Sequence, residues 1–192
     1  MQELSIKRTP LSIPKKEINF SDLEGLDLHS GRSTIKNIIK LMLWKKKPVF
    51  LNGMPLNRNE VESKKKKKED DHFYPFDLCN NSKINNRCNI NSILNLCYFT
   101  KEENASKQDT PPSHWLRSKN EHINADKKRQ RTFFESNLLP FDSIEDLENF
   151  EKQFVNEDGS FKPLKFNKDY QKFLKKRFEI FKRELNRLQN GK

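Results

Sequence analysis

Residues that could carry out chemistry are concentrated between positions 70 and 116 of the chain. Asp71 and His72 are adjacent, and Asn104 follows a stretch rich in apolar residues. Carboxylate and amide oxygens are hard ligands that suit Mg²⁺, which binds few protein groups and keeps several waters. An imidazole beside them can take a proton from water near neutral pH. The sequence therefore predicts a site for Mg²⁺ or Mn²⁺ formed by Asp71 and Asn104, with His72 as the base.

Two strands must position the first part of this site. Adjacent residues of a strand face opposite sides, so Asp71 and His72 can share a site only where their strand ends or bulges. The proline at position 75 is consistent with such an end. Four residues on either side of an Asn- and Ser-rich loop favour strands: Phe73, Leu96, Tyr98 and Phe99.

A helix is predicted directly after the second strand. Thr100 can cap this helix, and Glu103, at its third position, would complete a capping box. Asn104 would then lie near the start of the helix. The predicted local order is strand, loop, strand and helix.

The composition indicates about one folded domain with a basic surface. The chain has 192 residues, with 38 Lys and Arg against 27 Asp and Glu, and a formal net charge of +11. Only 33% of the residues are hydrophobic, but 15 Phe can supply an aromatic core. The positive charge favours a polyanionic partner, most often a nucleic acid.

Several classes of protein are disfavoured. No apolar run approaches the ~18 residues that a membrane helix needs, and residues 1–14 lack the apolar stretch of a secretory signal. Three cysteines without a C-x-x-C pair argue against a disulfide framework and against a four-cysteine zinc site. We therefore expect a cytoplasmic protein.

Two basic segments could hold nucleic-acid phosphates. The first is an unbroken run of lysines, for which a solvated loop is the alternative interpretation. Contacts of this kind position a nucleic acid without reading its sequence. The candidate phosphate-binding residues are Lys64, Lys65, Lys66, Lys67, Lys68, Lys127, Lys128, Arg129 and Arg131.

The chain as a whole is predicted to be α+β and mainly helical. Residues 1–33 are expected to form a loosely ordered N-terminal segment, and residues 34–192 one domain. Within that domain the central part covers about 69–116, and a helical C-terminal part covers about 132–190.

Three helices are predicted outside the central part. Apolar residues at helical spacing after Ser33 indicate the first helix, which Pro48 would stop. Ser143 is a candidate cap for the second helix, over 144–154. The third covers about 167–189, where apolar residues are spaced 4, 3, 4 and 3 apart.

The motifs of the central part resemble a known family. The run D-D-H-F-Y-P, then N-S-I-L-N-L-x-Y-F-T-K-E-E-N, then P-P-S-x-W-L resembles HNH endonucleases of the ββα-metal (His-Me finger) type. Within that group it is most similar to the nuclease domain of GmrSD-type modification-dependent restriction enzymes. The resemblance covers roughly 33–190 and is specific at 70–116. It implies a ββα-metal core flanked by helices.

The resemblance also implies a role for each matching residue. Asp71 would be a metal ligand and Asn104 the second ligand. His72 would be the general base that activates water. Asn95 would hold the connecting loop in place by hydrogen bonds. The implied activity is metal-dependent hydrolysis of DNA phosphodiester bonds in the restriction of phage or other foreign DNA.

Two departures from the family pattern bear on partners and activity. Phe76 stands where the family often has Lys or Arg, which removes one possible phosphate contact. The chain has no G-x-x-x-x-G-K-[ST] loop and no room for the ParB-like NTPase domain that full-length members carry. The resemblance therefore implies a separately encoded NTPase partner, or a truncated remnant.

Two non-catalytic hypotheses remain beside the nuclease. In the first, the chain is a basic nucleic-acid-binding or assembly module on a decayed nuclease scaffold. In the second, it is an adaptor that docks an acidic protein through its Phe-rich C-terminal helix.

Overall fold

The protein is mainly helical, with one small antiparallel sheet of two strands. This architecture confirms the predicted α+β, mainly helical class. No helix among the described residues is both long and apolar enough to cross a lipid bilayer. The computed structural model describes residues 17–29, 33–56, 68–77, 90–119, 121–158, 160 and 162–190.

Most of the longer described helices are capped at their first residue by a side chain. This side chain accepts a hydrogen bond from a backbone N–H of the first turn, which has no partner within the helix. In chain order the elements are α1 (Phe20–Glu24), α2 (Thr34–Lys45), β1 (Lys68–His72), a 3₁₀ turn (Ile93–Asn95), β2 (Leu96–Thr100), α3 (Lys101–Lys107), α4 (Pro112–Lys119), α5 (Glu121–Asn124), α6 (Lys127–Ser136), α7 (Ile144–Glu151) and α8 (Pro163–Gln189).

The two strands pair antiparallel, with Lys68 opposite Thr100 and His72 opposite Leu96. Strand β2 is apolar and almost wholly buried. Strand β1 consists of charged residues and His72, and pairing with β2 holds it in place. Because β1 ends at His72, Phe73 lies one residue beyond the strand, and its N–H donates to the carbonyl of Asn95 at 2.7 Å.

The core that supports the sheet is aromatic, as the Phe content predicts. Phe73 and Phe141 both stack on Phe173 of α8, with ring centroids 5.7 and 6.2 Å away. Tyr74 meets the same Phe173 ring edge-on at 4.9 Å. Offset and edge-to-face pairs add about 0.5–1.5 kcal/mol each beyond the area they bury. The segment that follows β1 is thereby fixed against α8.

A buried cation on α8 ties the sheet to the helical part. Arg177 is fully buried, and its guanidinium donates to the carbonyls of Leu94, Asn137 and Leu138 at 2.8, 3.0 and 3.2 Å. Burial lowers the pKa of Arg177 to about 10. The side chain thus joins the 3₁₀ turn before β2 to the turn that ends α6.

The three helices predicted outside the central part are all present. Helix α2 begins after its Ser33 cap, as expected. Helix α7 begins after its Ser143 cap but ends at Glu151, three residues earlier than predicted. Helix α8 begins at Pro163, four residues earlier than predicted, with proline in the first turn, where its missing N–H costs nothing.

Residues 17–29, within the segment expected to be loosely ordered over 1–33, pack against the rest of the chain. Helix α1 lies in this segment, and Leu23 and Leu28 belong to the same buried core as the rest of the chain. Backbone hydrogen bonds join Leu28 to Asn91 and Leu26 to Ile93. This docking was not predicted because the apolar residues of the segment follow no single helical or strand period, and the backbone contacts leave no pattern in side-chain types.

The basic segment near position 130 is a helix that the sequence reading did not predict. Asp126 caps α6, with its side chain accepting from the N–H of Arg129 at 2.8 Å. Phe133 and Phe134 bury one face of the helix, and the basic residues lie on the exposed side. The helical C-terminal part therefore begins before the expected position 132.

A buried carboxyl group lies where α4 and α7 meet. Glu151 is 1% exposed and accepts hydrogen bonds from both the hydroxyl and the N–H of Ser113. Burial raises the pKa of Glu151 to about 7, and the bonds from Ser113 only partly oppose this shift.

We expect Arg177→Met to lower the free energy of unfolding by about 3–5 kcal/mol, because three buried carbonyl groups would lose their donor. Urea denaturation followed by circular dichroism measures this. Arg183→Met, an exposed position on the same helix, is the matched control and should change stability by less than about 0.5 kcal/mol. Equal effects of the two variants would contradict the role of the buried guanidinium.

Glu151 predicts a pH dependence of stability. The folded chain keeps the Glu151 proton up to about pH 7, whereas in the unfolded chain the carboxyl ionises near its ordinary value of 4.5. The contribution of Glu151 to stability is therefore complete below about pH 4.5 and falls by about 3 kcal/mol as the pH rises to about 7. The difference in unfolding free energy between the wild type and Glu151→Gln should fall across this window. A pH-independent difference would contradict the prediction.

Candidate functional site

The predicted metal ligand and the predicted base meet at the end of β1. The Asp71 carboxylate accepts a hydrogen bond from Nδ1 of His72 at 3.2 Å, although adjacent strand residues ordinarily face opposite sides. The contact is possible because the strand ends at His72, as the sequence argument requires. A carboxylate only accepts, so the His72 proton in this contact lies on Nδ1.

Three further residues surround the His72 imidazole, whose side chain is only 5% exposed. Nε2 lies 2.9 Å from the side-chain oxygen position of Asn91. The ring of His29 meets the His72 ring edge-on, with centroids 5.3 Å apart, and Phe76 lies 6.1 Å away on another side. The imidazole is therefore held in one orientation by polar contacts at both nitrogens and by aromatic neighbours.

A buried lysine pairs with the Asp71 carboxylate. Nζ of Lys107 lies 2.6 Å from Asp71 Oδ2, also donates to the carbonyl of His72, and lies 4.5 Å from the centre of the Phe99 ring. The pKa of Asp71 lies well below its ordinary value. Burial alone would raise it, but the hydrogen bond from His72 and the positive charge of Lys107 outweigh that effect. Asp71 is thus an ionised oxygen donor.

Asn95 fixes the loop that follows β1. Its buried side chain accepts from the N–H of Tyr74 at 3.0 Å and donates to the carbonyl of the same residue at 2.9 Å. A third, longer bond of 3.4 Å goes from its NH₂ group to the carbonyl of Ile90. These bonds position the chain immediately after His72.

Asn104 lies on α3, one helical turn before Lys107, and is half-buried. Residues three apart on a helix share a face, so Asn104 belongs to the face that also carries Lys107. The capping box predicted for this helix is present, with Thr100 accepting from the Glu103 N–H at 3.1 Å and Glu103 accepting from the Thr100 N–H at 2.9 Å. Helix α3 therefore begins where the sequence predicts.

The donor set fits a hard divalent cation in its chemistry. An ionised carboxylate and an amide oxygen match Mg²⁺, which completes its shell with water. The residues that the structure describes hold no cluster of three or more His, Cys, Asp and Glu side chains suited to a metal. Any cation at Asp71 must also share this carboxylate with the Lys107 ammonium.

Asp70 does not take part in the site. Its carboxylate pairs with Lys40 of α2, on the other side of β1 from Asp71.

The candidate phosphate-binding residues on α6 are not brought to the Asp71 site by any described contact. All four are exposed, and three pair with neighbouring groups: Arg129 with Asp126 at 3.2 Å, Arg131 with Glu135 at 2.8 Å, and Lys127 with Glu145 at 3.9 Å. Such exposed pairs contribute little to stability and can open for another anion. Lys64 to Lys67 lie outside the described residues, and only the backbone of Lys68 is described, in β1.

Sequence reasoning missed three residues of the site. His29 and Asn91 contact His72 from distant or loop positions, and no periodicity links them to it. Lys107 did leave a signal, because it lies three residues after Asn104 on a helix whose start was predicted. A lysine three residues after Asn104 shares its helix face and is therefore expected to face β1 and β2.

Comparison of the chain with protein-family models, with curated proteins and with solved structures finds no match. The site must therefore be interpreted from its own residues.

We expect Asn95→Ala to lower the free energy of unfolding by about 2–4 kcal/mol, because the buried N–H and carbonyl of Tyr74 would both lose their partners. The exchange rate of the Tyr74 amide hydrogen should rise with it, which places the effect at this loop. Asn149→Ala, at an exposed position, serves as the control and should be close to neutral. A loss of unfolding free energy below about 1 kcal/mol would contradict the role of Asn95 in fixing this loop.

Proposed function

We propose that the chain is a metal-dependent endonuclease of the HNH, ββα-metal type that hydrolyses DNA phosphodiester bonds. The observation that carries the proposal is the pairing of an ionised Asp71 with His72 at the end of β1, next to an antiparallel strand and a capped helix that bears Asn104. It supports the proposal because the motif resemblance implies the same order of strand, loop, strand and helix. Restriction of foreign DNA is the setting that the resemblance favours.

His72 is the general base of the proposed reaction. Nδ1 of His72 donates its proton in a hydrogen bond to Asp71, so the neutral imidazole carries its lone pair on Nε2. Asn91 faces this nitrogen, and an amide turned to present its NH₂ group would donate to it. The Asn91 side chain must give way to the water that His72 deprotonates. That water then attacks phosphorus in line with the departing 3′-oxygen.

Asp71 and Asn104 are the proposed ligands of Mg²⁺ or Mn²⁺. When bound, such a cation would polarise the phosphate and stabilise the leaving oxygen. Lys107 acts on the same carboxylate, since its ammonium neutralises Asp71 when the cation is absent. Asn95 is a positioning residue, because it fixes the backbone after His72 and does not face the reacting atoms.

DNA would be held by the basic residues of α6 and by the lysine run over 64–68. The net charge of +11 supports a polyanionic partner. Selection of the target would belong to a separately encoded subunit with a ParB-like NTPase domain, as the resemblance implies.

A specific observation favours the non-catalytic alternative. The Lys107 ammonium occupies one oxygen of Asp71, and Nδ1 of His72 occupies the other. This closed network would also suit a basic nucleic-acid-binding module in which the former metal site has become an internal ion pair. Such a module would bind DNA without cutting it.

We expect His72→Ala to reduce nicking of supercoiled plasmid in Mg²⁺ or Mn²⁺ by at least about 100-fold, because a general base contributes roughly that much or more. DNA binding in EDTA, measured by gel shift, should remain. His114→Ala on α4 is the matched control and should nick as the wild type does.

Equal nicking by His72→Ala and the wild type would contradict the assigned base. DNA binding by the wild type without strand breaks in either metal would instead support the non-catalytic module.

A further inference from the structure

A cavity of about 340 Å³ lies between the loop at 49–53 and helices α5 and α6. Its floor is apolar and includes the buried side chains of Phe50, Ile123 and Phe133. Its rim includes His122, Lys128 and Arg129. A cavity of this size with apolar side chains and a few polar groups is typical of a site for a small molecule.

His122 on the rim is held between Arg129 and Gly53. Nη1 of Arg129 lies 3.1 Å from Nδ1 of His122, and a guanidinium can only donate. The proton of a neutral His122 is therefore on Nε2. This nitrogen lies against Gly53, where an added Cβ would be only 2.2 Å away. Gly53 also has a φ of +79°, so glycine is required both by the backbone and by the closeness of the imidazole.

The cations of the rim give it a net positive charge. Asp126 also lines the cavity, but its carboxylate caps α6 and pairs with Arg129 at 3.2 Å. Lys128 adds a second cation and is exposed. With His122 neutral, the two cations exceed the one carboxylate by a single positive charge.

The loop that forms one wall is anchored on both sides. The N–H of Val49 donates to the hydroxyl of Ser136, and Asn137 donates to the Val49 carbonyl. The N–H of Leu51 donates to Glu103 of α3 at 2.8 Å. These bonds hold the wall in place without a ligand, so the cavity is preformed.

We propose that this cavity binds one unpaired nucleotide, with the base on the apolar floor and the phosphate at Lys128 and Arg129. A base offers a flat apolar face to the floor, and its phosphate complements the cations of Lys128 and Arg129. The inference rests on the proposed action on DNA, and it adds that the chain engages a strand with unpaired bases. A free nucleotide has the same chemistry as a nucleotide within a strand.

The test is fluorescence anisotropy in EDTA at fixed salt, with a labelled twelve-nucleotide single strand and the matching duplex. Thr132→Trp fills the cavity from its exposed edge without changing the charge. It should weaken single-strand binding by about tenfold, as loss of a stacked base does, and leave duplex binding unchanged.

A charge-matched pair tests the rim independently of any folding defect in Thr132→Trp. Lys128→Ala removes a cation that lines the cavity, whereas Lys165→Ala removes an exposed cation on α8 that does not. Lys128→Ala should weaken single-strand binding about five- to tenfold, and Lys165→Ala less than about twofold. Competition with deoxythymidine monophosphate distinguishes a free nucleotide from a nucleotide within a strand. If the monophosphate displaces the labelled strand, a free nucleotide is sufficient for binding. If the strand binds and the monophosphate does not displace it, the site takes nucleotides within a strand.

Equal effects of Lys165→Ala and Lys128→Ala, or equal weakening of single-strand and duplex binding by Thr132→Trp, would overturn the cavity as a nucleotide site. These binding measurements do not depend on cleavage of the DNA. A chain that fails to nick plasmid yet shows the Lys128 and Thr132 effects would refute the nuclease and retain the cavity.

Discussion

The structure depends on a buried guanidinium that is neutralised by dipoles instead of a carboxylate. Arg177 directs its donors to three backbone carbonyls, at Leu94, Asn137 and Leu138. Burial of a cation is costly, so these bonds are what makes the buried guanidinium compatible with the fold. The residue after Leu94 is Asn95, which in turn fixes Tyr74, two positions after His72. A short series of hydrogen bonds thus leads from the middle of α8 to the proposed base.

The Asp71 carboxylate can be neutralised by either of two cations, the Lys107 ammonium or a divalent metal ion. Lys107 now compensates Asp71, which keeps a partly buried anion stable when no cation is bound. Removing one partner of such a pair costs more than the pair itself contributes. A divalent cation could replace this contact only where its own binding energy exceeds that of the ammonium. The same ion pair therefore supports the fold in both candidate functions and would lower metal affinity in one of them.

The sequence predicted the parts of this structure that depend on local patterns. Ser33 and Thr100 mark helix starts because capping leaves a fixed spacing of residue types. The antiparallel strands and the meeting of Asp71 with His72 followed from strand geometry and from the position of the strand end. The docking of residues 17–29 was not predicted, because their apolar residues have no regular period and the backbone bonds to Asn91 and Ile93 leave no trace in side-chain types. Contacts of His29 and Asn91 with His72 were missed for a similar reason.

Helix α3 relates the candidate site to the cavity. Glu103, in its first turn, accepts a hydrogen bond from the N–H of Leu51 in the cavity wall, and its last residue, Lys107, pairs with Asp71. Burial raises the pKa of Glu103, opposed by the backbone N–H groups that bond it, so the hydrogen bonds of this side chain stabilise both the helix start and the loop. A displacement of the wall at Leu51 would therefore act on the same short helix that carries Asn104. Because α3 has only seven residues, Glu103 and Lys107 lie about one helical turn apart, and the loop at 49–53 and Asp71 therefore contact the same turn of the helix.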